Sequence, residues 1–312
     1  MPEPTQQFPE SSTPATRAGN VALIGQPNVG KSSLLNRLLE QKLSIVTPLP
    51  QTTRERVVGI DTREDVQMIF VDTPGLVDPR YLLHHSMLQT VRESIPDVDA
   101  ILFLLDAAAT PPLLDPQLVD LLRQRGRALL VVLNKIDIAT AAQTEAARAW
   151  AHETFGVETA TVSAVTGEGV EELRGKIASL LPRSPFLYPP DEISSQSVRF
   201  FVEELVRETV FELFKQEIPY SVAVKVDEYR ENAEPVYIRA TVYVERSSQK
   251  GILIGEGGAG IRRLGQEARR KIEEFVGAPV YLDLWIKVLP KWRRDPTALR
   301  RLGFSVPSTE KR

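Results

Sequence analysis

The eight residues from Gly25 to Ser32 restrict the fold of this chain more than any other segment. They read Gly-Gln-Pro-Asn-Val-Gly-Lys-Ser and match the pattern G-x-x-x-x-G-K-[ST]. An apolar run, Val21–Ile24, precedes them, and an amphipathic helical pattern, Lys31–Leu39, follows. A glycine-rich loop between a strand and a helix points its backbone N–H groups inward, so this segment predicts a phosphate-binding loop.

The positions of this loop have expected roles toward a nucleotide. We expect Lys31 to reach the β- and γ-phosphates and the hydroxyl of Ser32 to bind Mg²⁺. The residues predicted to bind the phosphates are Gly25, Asn28, Val29, Gly30, Lys31, Ser32 and Ser33.

Short apolar runs alternate with helical patterns from Asn20 to about Leu181. The predicted strands are Val21–Ile24, Gln67–Val71, Ala100–Leu105, Leu129–Leu133 and Thr159–Val162. The predicted helices are Lys31–Leu39, Gln117–Arg125, Ala141–Thr154 and Val170–Leu180. Most strands are apolar at consecutive positions, as in parallel strands that are buried on both faces. The alternation predicts a doubly wound α/β sheet.

A second motif, Asp72-Thr-Pro-Gly75, ends one of these strands. Asp72 is therefore expected beside the phosphates, where its carboxylate can hold the hydration shell of Mg²⁺. The N–H of Gly75 is expected to contact a γ-phosphate oxygen, a contact that exists with a nucleoside triphosphate and is lost with the diphosphate. The predicted second switch begins with Thr73, Pro74, Gly75 and Leu76 and continues to Pro96. Within it, His84 and His85 are assigned a surface or packing role in preference to catalysis.

A third motif, Asn134-Lys-Ile-Asp137, ends another apolar strand and predicts selectivity for guanine. The carboxylate of Asp137 can accept hydrogen bonds from N1–H and N2–H of guanine, whereas N1 of adenine is an acceptor. A backbone N–H in Ser163-Ala164, at the end of the next strand, is expected to reach guanine O6. The predicted guanine-binding residues are Asn134, Lys135, Asp137, Ser163 and Ala164, and the predicted ligands are GTP and GDP.

The segment Ser44–Arg54 shows neither helix nor strand periodicity and contains Gln-Thr-Thr-Arg at its end. A mobile loop there could place a threonine hydroxyl on Mg²⁺ only while the γ-phosphate is present. Thr53 is favoured over Thr52 for this role. The predicted magnesium ligands are therefore Ser32 and Thr53.

The patterning changes after a segment with four prolines, Pro182–Pro190. A helical pattern over residues 198–213 is followed by strictly alternating stretches at 222–226 and 236–244. A glycine-rich turn, an amphipathic helix over 261–275 and an alternating stretch at 280–288 complete the pattern. The order α-β-β-(α)-Gly loop-α-β predicts a smaller α+β domain.

This C-terminal part is also the basic part of the chain. The net charge of the chain is −3, yet residues 246–303 hold 13 Lys and Arg against six Asp and Glu, a balance of +7. Such a concentration of positive charge is the pattern expected of a region that meets a polyanion.

Composition excludes several other classes of protein. The chain has no cysteine, so it has neither disulfides nor cysteine-based metal sites, and it suits a reducing cytoplasm. Its first 20 residues are rich in Pro, Ser, Thr and Glu without an apolar run, so neither a signal peptide nor a membrane anchor is expected there. No apolar run approaches the roughly 18 residues that a membrane span needs.

The three nucleotide motifs and the string Gln51–Arg54 resemble those of the Era family of bacterial GTPases, and the resemblance covers nearly everything after Asn20. Its strings are Gly25–Ser32 with Asn28, Gln51–Arg54, Asp72–Leu76 and Asn134–Asp137. Leu76 stands where Ras-like enzymes carry a water-orienting glutamine, so hydrolysis must rely on the metal, Lys31, the switch backbone and an external group. Some relatives use an asparagine at the position of Asn28 to help hold K⁺. Asn28 therefore has two open interpretations, as a K⁺ ligand or as a residue that shapes the loop.

The C-terminal pattern resembles a type II KH domain, with G-x-x-G at Gly255–Gly258. Such domains bind single-stranded RNA in a groove beside this loop. The loop positions Glu256 and Gly257 depart from the family, which usually carries Lys or Arg there, so affinity is expected from flanking cations. The predicted RNA-binding residues are Gly255, Glu256, Gly257, Gly258, Arg262, Arg263, Lys287 and Lys291. Trp292 is expected to pack the C-terminal segment rather than to stack a base.

The resemblance implies a doubly wound P-loop GTPase domain followed by a smaller KH-type α+β domain. The predicted parts are a disordered arm (1–18), the GTPase domain (19–181), a proline-rich linker (182–197), the KH-type domain (198–303) and a tail (304–312). It also implies that nucleotide state gates binding to the 3′ end of small-subunit ribosomal RNA during ribosome assembly. The expected form is a cytoplasmic monomer that binds the small ribosomal subunit and contacts the inner face of the membrane peripherally.

A different class of function stays open. A nucleotide-dependent adaptor could bind a protein or membrane surface through a degenerate KH domain. The acidic Glu256 favours this alternative, and the positive charge of residues 246–303 favours RNA.

Overall fold

A six-stranded sheet forms the centre of the N-terminal domain in the computed structural model, which describes residues 15–306. Its strands, in the spatial order β2-β3-β1-β4-β5-β6, are β1 (Arg17–Gly25), β2 (Val57–Arg63), β3 (Val66–Asp72), β4 (Ala100–Asp106), β5 (Leu129–Asn134) and β6 (Thr159–Thr161). Neighbouring strands are parallel except for β2, which runs antiparallel to β3. The carboxyl ends of β1, β3, β4 and β5 therefore share one edge, where the nucleotide motifs begin.

Helices cover both faces of this sheet. They are α1 (Lys31–Leu39), α2 (Leu82–Ser94), α3 (Pro116–Arg123), α4 (Ala141–Phe155) and α5 (Val170–Leu180). Successive residues of β1 point to opposite faces: Leu23 packs with α1 and α5, and Ile24 packs with α2, α3 and α4. The consecutive apolar positions in the strands are explained by this arrangement, and the predicted doubly wound fold is confirmed.

Two elements of this domain were missed by sequence reasoning. β2 is an edge strand whose sequence, Val-Val-Gly-Ile-Asp-Thr-Arg, turns polar before it ends. α2 lies inside the segment that was predicted only as a switch.

β1 begins at Arg17, because the backbone from Arg17 to Asn20 pairs with β3 despite its polar side chains. Arg17 and Ala18, predicted to belong to the disordered arm, are therefore part of the sheet. Residues 1–14 and 307–312, which hold most of the predicted arm and tail, lie outside the described residues.

The C-terminal domain is built around a three-stranded sheet. Its elements are α6 (Val198–Leu213), α7 (Ile218–Ser221), β7 (Ala223–Arg230), β8 (Val236–Val244), α8 (Ser247–Ile254), α9 (Ala259–Val276), β9 (Val280–Val288) and α10 (Pro296–Arg301). In this domain α6, α8 and α9 cover one face of the sheet, and α10 packs at one end of the other face. β8 is central, antiparallel to β7 and parallel to β9. The alternating apolar residues of the strands, such as Ile238 and Val242, pack on α6 and α9. The predicted element order is correct.

The proline-rich segment runs along the outer edge of β2. Ile60 donates its backbone N–H to Ile193 O at 2.9 Å, and Val58 donates to Gln196 Oε1 at 2.8 Å. The buried side chain of Gln67 accepts hydrogen bonds from the N–H groups of Leu187 and Tyr188 at 2.8 and 3.0 Å. The segment thus supplies partners for backbone groups that an edge strand would otherwise leave open.

The two domains share an apolar seam, which we call the switch II seam. Leu83 and Met87 of α2 pack there with Tyr243 of β8, Trp292 and Phe304. Trp292 is fully buried and donates its indole N–H to Ser221 O at 2.9 Å. It therefore packs the C-terminal segment, as expected. No helix in the described part of the chain is long and apolar enough to cross a membrane.

Candidate functional site

A cavity of about 290 Å³ lies where β1 ends and α1 begins. Its walls come from the loop before α1, the segment between α1 and β2, and the turn after β3. The lining residues are Pro27, Asn28, Gly30, Lys31, Ser32, Ser33, Ile45, Val46, Thr47, Pro48, Gln51, Thr52, Thr53, Gly75 and Lys135. The cavity therefore brings together the phosphate-binding motif and both predicted switches.

Lys31 is buried at the floor of this cavity. Its Nζ donates hydrogen bonds to Gly25 O at 3.0 Å and to Gln26 O at 2.9 Å. Burial lowers the pKa of Lys31 to about 8, although the carboxylate of Asp72 acts in the opposite direction. A phosphate group would supply the negative charge that two carbonyls do not, so the site is built for an anion.

Three oxygen-bearing side chains converge beside Lys31. Ser32 Oγ donates to Asp72 Oδ2 at 2.7 Å and lies 3.0 Å from Thr53 Oγ1. Asp72 Oδ1 is buried and has no hydrogen-bond partner among the described residues. Burial raises the pKa of Asp72, and Lys31 and the hydroxyl donors oppose that effect. An oxygen cluster with an unpaired carboxylate atom fits a hard divalent cation, so the residues present fit Mg²⁺.

Thr53 and Thr52 point to different partners. Thr52 Oγ1 donates to Leu49 O at 2.8 Å and lies 2.8 Å from Thr47 Oγ1. Thr52 thus holds the loop to itself, while Thr53 faces Ser32. This geometry favours Thr53 as the metal ligand of the first switch.

Gly75 brings the second switch against the phosphate-binding loop. A Cβ on Gly75 would lie 2.9 Å from both N and Cα of Pro27, so only glycine allows this approach. Thr73 Oγ1 donates to Leu23 O at 2.7 Å, and Leu76 donates its N–H to Gly25 O at 3.1 Å. The half-buried side chain of Leu76 packs among apolar residues and offers no group that could orient water.

Asn134 links the phosphate-binding loop to the loop after β6. Its side-chain amide donates to Val29 O at 2.8 Å, and its Oδ1 accepts from the N–H of Ala164 at 3.0 Å. The side chain of Asn134 thus bridges the two loops and is not free to contact a base. Of the two backbone N–H groups predicted as candidates for guanine O6, that of Ala164 is engaged by this bridge, and that of Ser163 is donated to Glu168 O.

The remaining residues predicted to bind guanine lie at the same edge of the sheet. Lys135 lines the cavity and pairs with Asp106 at 2.7 Å. The carboxylate of Asp137 is exposed, so it is free to accept hydrogen bonds from a base. Asp137, Ser163 and Ala164 do not line the cavity itself.

Asn28 joins the phosphate-binding loop to the first switch. It adopts a φ of 62° and donates its side-chain amide to Pro48 O at 3.1 Å. Asparagine tolerates this left-handed conformation better than most residues, which supports the loop-shaping interpretation. The K⁺ interpretation stays a prediction.

The two histidines of the second switch occupy different environments. His84 is buried, accepts from the N–H of Arg80 at 3.3 Å and places Nε2 3.1 Å from Gln51 Oε1. Burial lowers the pKa of His84, which favours the neutral ring. His84 therefore packs α2 against the first switch, whereas His85 is exposed.

Sequence reasoning missed the contacts of the first switch with the C-terminal domain. Arg54, the residue after Thr53, is buried; it donates to Pro219 O at 3.0 Å and to Val222 O. Its guanidinium also lies 5.9 Å from the ring centroid of Trp292. The position of Arg54 beside Thr53 was the only sequence signal for this contact.

A second contact joins the start of the first switch to α6. Glu208, which is buried, accepts from Lys42 at 2.9 Å, from Lys271 at 2.7 Å and from the N–H of Val46 at 3.4 Å. Burial acts to raise the pKa of Glu208, but the hydrogen bonds from Lys271 and Lys42 outweigh it and lower the pKa. Glu208 thus stays ionised and ties the switch to α9.

The G-x-x-G loop connects α8 to α9 and is exposed at its tip. Gly255, Gly257 and Gly258 have φ values of 70°, 54° and 80°, a run that side chains would strain. Glu256 is exposed, and Arg262 donates to Gly257 O at 2.8 Å. The loop is therefore held by its glycines, with its acidic residue in solvent.

A groove of about 360 Å³ lies between α9 and β9, next to this loop. It is lined by Ile261, Arg262, Gly265, Gln266, Arg269, Tyr281, Leu282 and Leu284. Arg263, Lys287 and Lys291 are exposed outside it. The mixture of apolar floor and cationic rim suits a single-stranded nucleic acid.

Comparisons with known proteins agree with this arrangement. Residues 20–135 match the family described as 50S ribosome-binding GTPase, and residues 217–293 match the KH domain family. The chain is 40% identical over 295 residues to GTPase Era of Caldanaerobacter subterraneus subsp. tengcongensis, covering 94% of this chain and 99% of that protein. It is 41% identical over 290 residues to GTPase Era of Geotalea uraniireducens, covering 92% and 98%.

Two solved structures resemble the fold over the same range. An Era variant from Aquifex aeolicus bound to GDP and AlF₄⁻ has a TM-score of 0.87 and 36% identity, covering 92% of this chain and 99% of that chain. The same values hold for Era in complex with MgGDPNP and nucleotides 1506–1542 of 16S ribosomal RNA. The chain belongs to the Era family of GTPases.

Proposed function

We propose that this chain hydrolyses GTP and couples its nucleotide state to binding of single-stranded RNA at the 3′ end of small-subunit ribosomal RNA. The observation that carries the proposal is the double attachment of the first switch. Thr53 meets Ser32 in the nucleotide site, and the next residue, Arg54, is hydrogen-bonded inside the C-terminal domain. A relative solved with a 16S ribosomal RNA segment supports the choice of RNA.

The nucleotide site supplies charge and position rather than a chemical base. Lys31 binds the β- and γ-phosphates, and the N–H of Gly75 contacts the γ-phosphate. Ser32 and Thr53, with Asp72 behind them, would hold Mg²⁺, which neutralises phosphate charge when bound. Leu76 cannot orient water, so turnover is slow without a partner.

A monovalent ion would add to this charge. Asn28 and the carbonyl of Pro48 already lie together at the rim of the cavity, where an oxygen ligand set could take K⁺. Faster turnover in K⁺ than in Na⁺ is the expected result for that role, and equal rates would leave Asn28 with loop shaping alone.

Coupling follows from where the first switch is anchored. When GTP gives way to GDP, Thr53 loses its γ-phosphate-dependent contact, and Arg54 and Val46 move with the loop. Val46 is bonded to Glu208, and Glu208 to Lys271 on α9, the helix that follows the G-x-x-G loop. A shift of the switch therefore acts on the RNA-binding helix.

The test is the RNA affinity of the full chain loaded with GDP or with a non-hydrolysable GTP analogue, at one salt concentration. A coupling of about 1–3 kcal/mol appears as a 5- to 150-fold difference, and by linkage RNA changes relative nucleotide affinity by the same factor. Indistinguishable affinities would contradict gating and favour the adaptor alternative.

A matched pair of variants locates the coupling. Arg54→Ala removes the buried guanidinium, whereas Arg56→Ala removes an exposed one two residues later. Arg54→Ala is expected to bring the two RNA affinities together, and Arg56→Ala to leave their ratio unchanged. An unchanged ratio in both variants would show that the coupling takes another route.

We also propose that the chain acts as a cytoplasmic monomer. Sedimentation of the GTP- and GDP-loaded forms tests the oligomeric state. Flotation with vesicles of anionic lipid tests the expected peripheral contact with a membrane.

A further inference from the structure

The face of the C-terminal sheet opposite α6 and α9 is covered at one end only, where α10 and Trp292 pack with Ala223 and Tyr243. Valine and isoleucine at alternate positions of β8 and β9 pack on α6 and α9, so the residues between them point to the opposite side. On that side lie Tyr237 of β8 and Tyr281 and Trp285 of β9. We call these three residues, with Arg230 and Arg239, the aromatic face.

The rings of the aromatic face are exposed and already aligned. Tyr237 and Tyr281 stack with centroids 5.8 Å apart and an interplanar angle of 11°. The side chains of Tyr281 and Trp285 are 59% and 53% exposed. The guanidinium of Arg230 lies 4.9 Å from the Tyr237 ring centroid. Large planar groups held open to solvent are what stacking of bases requires.

The carboxylates on this face do not oppose an anionic ligand strongly, because arginines neutralise them. Asp283 accepts from Arg239 Nε at 3.2 Å and from Tyr237 Oη at 3.1 Å. Glu228 pairs with Arg230 and Arg239 at 2.6 and 3.4 Å. Lys287, two residues beyond Trp285, is exposed.

The aromatic face continues the groove beside the G-x-x-G loop. Tyr281 lines that groove and also belongs to the open side of the sheet. β9 is an edge strand, so no further strand separates the two surfaces. We propose that single-stranded RNA leaving the groove crosses β9 and stacks bases on Tyr281 and Trp285. This inference rests on the proposed RNA-binding function.

RNA fits this surface better than a protein partner does. β9, which carries Tyr281 and Trp285, belongs to the basic part of the chain, with a balance of +7 over residues 246–303, and its Lys287 is exposed. Arg230 and Arg239 are balanced by Glu228 and Asp283. Residues four apart on one strand are about 13 Å apart, so Tyr281 and Trp285 offer two separate stacking positions along β9. Stacking at these positions also offsets the repulsion between Glu256 and RNA phosphates, because stacking does not depend on charge.

The test compares a four-nucleotide RNA, which fills only the groove, with a ten-nucleotide RNA that extends beyond it. Trp285 does not line the groove, so Trp285→Ala is expected to weaken binding of the longer RNA roughly 5- to 150-fold and to leave the shorter one unchanged. Trp285→Phe should keep wild-type affinity. Leu113→Ala, an exposed apolar side chain of the other domain, is the control and should have no effect.

Two further readouts separate stacking from charge. Trp285→Ala should leave the salt dependence of binding unchanged, whereas Lys287→Ala should reduce its slope by about 0.7. Trp292 is buried and Trp150 lies on α4 of the other domain, so quenching of tryptophan emission by the longer RNA should disappear in Trp285→Phe.

The outcomes distinguish this inference from the proposed function. If the wild-type chain binds neither RNA, the RNA-binding function itself is wrong. If it binds both and Trp285→Ala stays within about twofold for the longer RNA, only the stacking surface is wrong. The inference would also be wrong if Trp285→Ala abolished binding to a small-subunit ribosomal protein and left the RNA affinity intact. The aromatic face would then be assigned to a protein partner.

Discussion

The two glycine loops of this chain differ in how closely their surroundings enclose them. The loop at Gly25–Ser32 is enclosed by two switches, and its lysine is buried against backbone carbonyls. The loop at Gly255–Gly258 is exposed, and among the described residues the side chain of Arg262 is hydrogen-bonded to it. The first loop is therefore shaped for a phosphate group. The second loop lets a nucleic-acid backbone come close, and the residues around it must supply the affinity. Substitutions in the first loop should have large and local effects, and those in the second should be small and salt-dependent.

The largest effect is expected for Lys31→Ala. Removing the buried cation should lower the rate of GTP hydrolysis by about 10²–10³-fold, as for the loss of one oriented transition-state donor. Single-turnover hydrolysis measures this effect. Lys176→Ala, which removes a partly exposed cation of α5, is the control, and equal rates for the two variants would refute the enclosed-site description.

Asp137→Asn tests the guanine end of the same site. An amide cannot accept from both N1–H and N2–H, so the preference for GTP over ATP should fall by roughly 10- to 150-fold. Competition binding with both nucleotides measures the ratio. Equal affinities in the unmodified protein would contradict the guanine assignment.

The buried ammonium predicts a pH dependence of nucleotide binding. The pKa of Lys31 is about 8 in the folded, nucleotide-free chain and 10.5 ordinarily, and phosphate favours the charged form. Binding should therefore take up a proton above pH 8, and affinity should fall by at most about tenfold per pH unit between 8 and 10.5.

The stability of the nucleotide-free chain should change with pH in the direction opposite to nucleotide affinity. The unfolded chain binds more protons at Lys31 in this window, so the free energy of unfolding should rise from pH 8 to 10.5. For nucleotide binding, calorimetry in buffers of different ionisation enthalpy counts the protons that are taken up. Lys31→Met should abolish the uptake, and persistence of the uptake in that variant would assign it elsewhere.

Glu256→Lys tests the exposed loop. Replacing an exposed acid with a cation should strengthen RNA binding by roughly two- to tenfold at low salt, and the gain should shrink as salt rises. The isosteric Glu256→Gln should give a smaller gain. Weaker binding by Glu256→Lys would mean that the acid makes a specific contact with RNA.

The smallest effect is expected for Leu76→Ala. Leu76 carries no polar group, so basal hydrolysis should stay within about threefold of the unmodified rate, far from the 10³–10⁵ of transition-state groups. A loss approaching that range would show that its packing aligns the switch.

The sequence allowed the phosphate-binding and guanine motifs to be located, because their chemistry requires fixed residue types at short spacing. The places of Lys31, Asp72 and Gly75 around one cavity follow from strand ends that meet at one edge of a sheet. The contacts of Arg54 with the C-terminal domain and of Lys42 with Glu208 could not be derived, since the partners lie more than 160 residues apart along the chain. The engagement of the Ala164 N–H by Asn134 likewise depends on how two loops pack.

The path of the proline-rich segment has a consequence for shortened forms of this protein. Val58 and Ile60 of β2 donate their N–H groups to residues 193–196, so a chain cut after residue 181 would leave that strand edge open. An open edge pairs readily with another copy. The isolated N-terminal domain is therefore expected to self-associate and to exchange the amide protons of β2 rapidly, even though its nucleotide site is complete.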